Sequence, residues 1–250
     1  MAQADLSKLS VREPPPPKPK RVYKSAAVGE AGPPWAVLLD GRPARTPLRR
    51  TLESPVRAVA AAVAAEWDAQ REVVAHETMP LTRLLATALD KVIPDRAGII
   101  GELLKYVDAD MLCYRADHPT DLAQRQAAVW QPVLDWVEGK FGVALVVSSG
   151  VMPARQAPAV VQGLRRALDG LDDFQLTAAQ AGAAATGSIA LGLALALRRL
   201  SGAEAFAAAQ LDESYQIERW GEDALAHQRR QAIAAELEAI ARFAALATQP

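Results

Sequence analysis

The chain has 250 residues, half of them hydrophobic, and a formal net charge of -1. A substantial core can therefore be buried, and no global field recruits nucleic acid or an acidic membrane surface. Aromatics make up only 5% and alanine is abundant, which favours closely packed helices over a β-sandwich, and the single cysteine excludes an intramolecular disulfide.

The first residues, MAQADLSKLSVREPPPPKPKR, lack the apolar stretch of a secretory signal. The proline run at 14–17 predicts an extended tail over residues 1–20. Residues 21–75 read as a small β-rich unit with one helix. KRVYKSAAV and PWAVLLDGRPART are strand-like, and Asp40-Gly41 marks a hairpin. Ser54 as N-cap and Pro55 at the first helical position predict a helix start, and Val56, Val59, Val63 and Trp67 follow at helical spacing.

Residues 76–250 read as a larger, mainly helical unit, so the expected fold class is α+β. Leu81, Leu84, Leu85, Ala88 and Leu89 form one stripe; Ile99, Leu103, Tyr106 and Val107 form the next. Leu122, Val129, Trp130, Val133 and Trp136 belong to a helix with a kink expected at Pro132. VALVVSSG predicts an isolated strand, and APAVVQGLRRALDGL an amphipathic helix. The uncharged run 177–197 is weakly hydrophobic in its first half, and its strong part, 189–197, is too short for a bilayer of about 30 Å. It predicts a buried helix, broken near Gly187-Ser188, in a soluble protein. A last stripe joins Ile233, Leu237, Ile240 and Ala244.

Chemistry-bearing motifs are missing. There is no GxGxxG, Walker loop, GxSxG elbow, HExxH or zinc spacing. His76, His118 and His227 lie far apart in sequence. Asp108 and Asp110 would point to different faces of a helix, and Cys113 reads as a buried structural thiol. No cofactor and no metal is expected.

One stretch, LDESYQIERWGEDALAHQRR, places acids among large apolar groups. Leu211, Tyr215, Glu218, Glu222 and Leu225 follow steps of four, three, four and three along one helical stripe, beside Ile217, Trp220, Gly221 and Ala224. Asp223 and His227 are spaced to pair, and Glu218 and Glu222 could meet Arg219, Arg229 or Arg230. Such surface pairs are worth a few tenths of a kcal/mol and leave the apolar company unexplained. A di-metal carboxylate site needs Glu-x-x-His on two helices, which this sequence lacks. Two functional readings remain. In one, this is a protein-binding face, with acids setting register and Gly221 admitting another backbone or bending the helix. In the other, an enzyme of unknown type uses Glu218, Glu222 and His227 in a cleft.

The ordered segments LLDGRPARTP, AAEWDAQ, MPLTRLLATALD, YRADHPTDLAQRQAAVWQPVLDW and ERWGEDALAHQRR resemble one family. It is the family of assembly chaperones for the F1-ATPase α subunit, the ATP synthase mitochondrial F1 complex assembly factor 2 family. The resemblance implies no catalysis. It implies an ATP-independent chaperone, a monomer when free, that binds the unassembled α subunit, shields its inter-subunit surface and promotes F1 assembly. It places the partner-binding residues at Glu218, Trp220, Gly221 and Glu222, with Glu213 and Tyr215 just upstream. Glu66, Trp67 and the run 79–82 also match and read as packing. The expected setting is a bacterial cytoplasm, or the mitochondrial matrix in a eukaryote.

Overall fold

The computed structural model describes residues 18–150 and 155–249. The expected tail at 1–17 lies outside them. Residues 18–20 lie along the chain: the Pro19 carbonyl accepts from the Val74 amide at 2.8 Å, Lys20 bridges Val73, and Lys18 pairs with Glu77.

The sheet is built on β2 (Trp35–Leu39), with β1 (Ala26–Val28), β3 (Arg42–Pro43) and β4 (Glu53–Ser54) all pairing antiparallel to it. The Asp40-Gly41 hairpin forms as expected, with Leu39 opposite Arg42 and both turn residues at positive φ. β2 buries Val37 completely.

Helix α1 (Arg57–Asp68) starts later than Ser54-Pro55 predicted. Ser54 is held in the ladder opposite Trp35, so its backbone cannot begin a helix; its hydroxyl accepts the Val56 amide at 3.0 Å. Val59 and Val63 are fully buried on the predicted stripe. Next come α2 (Pro80–Thr87), which runs into a π-helical turn (Ala88–Val92), and α3 (Arg96–Leu104). The Glu66 carboxylate accepts from the Leu81 and Thr82 amides, at 2.8 and 2.7 Å, and so caps α2 from α1. Met79 is buried beneath it. The packing reading of these matched residues therefore accounts for their contacts.

β5 (Tyr114–Arg115) leads to α4 (Thr120–Phe141), which carries Pro132 inside it. The strand expected in VALVVSSG shrinks to β6 (Ser148–Ser149), paired parallel with β5. The rest of that run is held by Gln156, whose side-chain amide both accepts from the Val146 N–H and donates to its carbonyl, at 2.8 and 2.9 Å. A side chain thus supplies the partner a second strand would have given.

α5 (Pro158–Asp169), α6 (Asp173–Thr186) and α7 (Ile189–Ala196) follow. The break at Gly187-Ser188 is where the sequence placed it: Gly187 is left-handed and the Ser188 hydroxyl caps α7 at the Leu191 amide. α7 is buried on every side, and α6 reaches it through glycines. α8 (Gly202–Ala209), α9 (Leu211–Trp220) and α10 (Ala224–Ala247) complete the chain. One apolar core runs from Val37 in β2 through the helices to Phe243 in α10. Among the described residues, no helix is long and apolar enough to cross a membrane.

Candidate partner-binding elbow between α9 and α10

The candidate segment is two helices, not one. Gly221 takes φ 85° and ψ 170°, a conformation that side chains disfavour, and α9 stops at Trp220. Asp223 then caps α10, its carboxylate accepting from the Leu225 and Ala226 amides at 2.8 and 2.9 Å. The single stripe read from Leu211 to Leu225 is therefore corrected: it ends at Glu218, and Glu222 and Leu225 follow a different axis. The Asp223–His227 pair is corrected too: Asp223 caps α10, and His227 meets Glu222 instead, at 2.8 Å.

α9 is fastened to the start of α4. Tyr215 is only 3% exposed and its hydroxyl donates to Asp121 at 2.7 Å. Arg219 reaches the other Asp121 oxygen at 2.6 Å and stacks 3.4 Å from the Tyr215 ring centroid. Arg125 donates to both oxygens of Glu218, at 2.9 and 2.7 Å, and the Gln126 amide donates to Asp212 at 2.8 Å. The Tyr215 hydrogen bond, and then Arg219, hold the Asp121 carboxyl below the usual range. Burial, and then the bond to Asp121, push the Tyr215 hydroxyl up.

On the far side of the bend, Glu222 accepts from Arg230 at 3.2 Å and meets His227 Nδ1 at 2.8 Å. The second ring nitrogen of His227 faces Gln231 at 2.8 Å. Of the predicted contact residues, Tyr215 is thus a buried positioning group rather than a contact surface. Both carboxylate oxygens of Glu218 and of Glu222 are engaged in holding the bend. Glu213 is exposed and has no side-chain partner among the described residues. Trp220 is 77% exposed and Leu225 78%, the two largest apolar groups on the bend. Gly221 serves the bend itself.

Sequence reasoning missed Asp121 and Arg125. They stand one turn apart, but nothing in their spacing links them to a helix some ninety residues later. Of the two hollows described, of about 550 and 690 Å³, neither is lined by Glu218, Glu222 or His227. The carboxylates of VDAD are structural. Asp110 is buried and accepts from the Leu112 and Ala190 amides and the Ser188 hydroxyl. Burial, and then nearby Asp110, push the Cys113 thiol up to about 12, which leaves it unreactive.

A mainly helical body thus carries an exposed tryptophan and leucine on a buttressed bend, side chains of the kind that protein-binding surfaces use. Residues 20–138 match the family model of the ATP12 chaperone protein. The crystal structure of Atp12 from Paracoccus denitrificans superposes with a TM-score of 0.84 at 38% identity, over 92% of this chain and 98% of that one. A protein of Agrobacterium tumefaciens superposes at 0.83 with 38% identity, over 91% and 85%. Protein atp12, mitochondrial, of Schizosaccharomyces pombe is 25% identical over 86% of this chain and 78% of its own. The chain belongs to the ATP12 chaperone family, a family of assembly chaperones and not of enzymes.

Proposed function

We propose that this protein captures the unassembled α subunit of F1-ATPase, covers the surface that subunit later gives to β, and releases it as the ring closes. The carrying observation is the elbow: Trp220 and Leu225, 77% and 78% exposed, stand on a bend held by the Asp121–Tyr215–Arg219 and Arg125–Glu218 clasp. Large exposed apolar groups in a pre-ordered frame supply binding area without a large ordering cost. Glu213, exposed and without a side-chain partner among the described residues, favours a client surface of positive potential and disfavours negative ones. A solitary α subunit would expose apolar interface, an aggregation hazard that micromolar binding, about 8 kcal/mol, suffices to suppress. Displacement by the β subunit needs no nucleotide. The bacterial relatives support action in a bacterial cytoplasm, and the mitochondrial relative support the matrix in a eukaryote.

Co-expression with an F1 α subunit and pulldown tests this. The Trp220→Ala, Leu225→Ala double variant should lose capture about tenfold or more, and Glu213→Lys should weaken it, with thermal unfolding unchanged because all three side chains are exposed. A wild-type protein that captures no α subunit sinks the proposal; undiminished capture by the double variant moves the site off the elbow.

A further inference from the structure

A second apolar surface lies on α2. Arg83, Thr87 and Lys91 line both hollows, so they form a ridge between them. The larger hollow, about 690 Å³, lies between this ridge, Trp67 of α1 and the loop 45–52. Leu48 forms its lip and is 66% exposed.

That lip is held firmly. Asp90, from the π-helical turn, accepts from the Thr46 hydroxyl at 2.7 Å and the Leu48 amide at 3.0 Å, and Arg50 stands 3.9 Å from it. The Thr46 hydroxyl in turn accepts the Arg50 amide at 3.1 Å, and Arg45 donates to Thr51 at 2.9 Å. An exposed leucine on a tied loop is pre-ordered for contact. The charge around it has one sign: Arg45, Arg83 and Lys91 line the hollow, and its only carboxylate, Asp90, is already engaged by the loop. Arg83 and Lys91 have no ion-pair partner among the described residues.

We propose that this face docks a second segment of the client, one that sets apolar side chains beside carboxylates; the inference rests on the chaperone reading above. The apolar side chains enter the hollow against Leu48, and the carboxylates meet Arg83 and Lys91. The chain's own residues 1–17 are a poor match for the cationic ridge, since Asp5 and Glu13 are balanced by Lys8 and Arg12.

The test is capture of a co-expressed F1 α subunit by the full chain carrying Arg83→Glu with Lys91→Glu, and separately Leu48→Asp. Each should reduce capture about tenfold while melting like wild type, and Arg83→Lys should capture normally. If both variants capture like wild type while Trp220→Ala does not, this inference is overturned and the elbow reading stands. If the wild type captures no α subunit, the elbow reading fails and a labelled leucine–glutamate helical peptide decides the present one. That peptide should bind about tenfold tighter than its leucine–lysine twin; equal binding overturns the inference. Self-association that either variant abolishes would assign the hollow to a second copy, and tighter peptide binding after deletion of residues 1–17 would assign it to the chain's own start. Either result overturns the proposal.

Discussion

Asp110 is the residue on which sequence and structure differ most in kind. Asp108 and Asp110 read as two acids on different faces of a helix, yet Asp110 is fully buried and ties the short turn 111–113 to the start of α7, accepting from Leu112 on one side and from Ser188 and Ala190 on the other. Burial raises its pKa, with the donors from Ala190, Ser188 and Leu112 opposing. The folded protein therefore binds this proton more tightly than the unfolded chain. The stability it contributes is fully present below the ordinary carboxylate value, about 3.9, and is lost as pH rises through the raised one. Asp110→Asn removes that titration. The stability of wild type minus variant, from urea melts, should decline as pH rises above the ordinary carboxylate value of about 3.9; a difference that grows with pH contradicts the assignment. Nothing in the sequence announced this role, because Ser188 and Ala190 come to Asp110 only through the tertiary fold.

Helix ends were legible where both chemical signals sat in the chain. Gly187 followed by Ser188 gave a left-handed stop and a cap, and α6 and α7 part there. Gly221 followed by Asp223 gave the same pair of signals, but the continuous apolar and acidic pattern across it reads as one stripe. The strand expected at VALVVSSG failed for a different reason: its partner is the Gln156 side chain, which no periodicity reveals. The α6–α7 pair also rests on what a sequence only hints at, the absence of side chains. A Cβ on Gly192 would stand 2.4 Å from the Ala179 carbonyl oxygen and 2.9 Å from the Ala183 nitrogen, and backbone cannot yield cheaply. Gly192→Ala should destabilise by about 1–3 kcal/mol despite alanine's better helix propensity. Gly101 in α3 has nothing within 4 Å of its added Cβ, so Gly101→Ala should be neutral or stabilising by up to about 1 kcal/mol. Chemical denaturation of the two variants separates the readings, and equal effects would mean that α6 and α7 can slide apart.

At the scale of the molecule, α10 connects the two surfaces. It begins at the elbow, and farther along Glu236, Ala239 and Ile240 line the smaller hollow beside the Arg83–Lys91 ridge. The rise per residue puts Ala224 and Ile240 about 24 Å apart along the helix. Sites so separated, on one packed core, should act independently, whereas the clasp and the elbow should not. Asp121 is half exposed, but both its carboxylate oxygens are engaged, one by Tyr215 and the other by Arg219, so its contribution to capture runs through the position of Trp220. Asp121→Ala should therefore weaken capture of the α subunit with little loss of stability, since its ion pair is solvent-screened. In that background Trp220→Ala should lose much of its own effect, giving a coupling of about 0.5 kcal/mol or more in a double-mutant cycle. Trp220→Ala combined with Arg83→Glu should instead add to within about 0.5 kcal/mol. Strict additivity of Asp121→Ala with Trp220→Ala would mean that the clasp holds α9 to α4 without aiming the elbow, and that the rigidity of the bend has no part in holding the client.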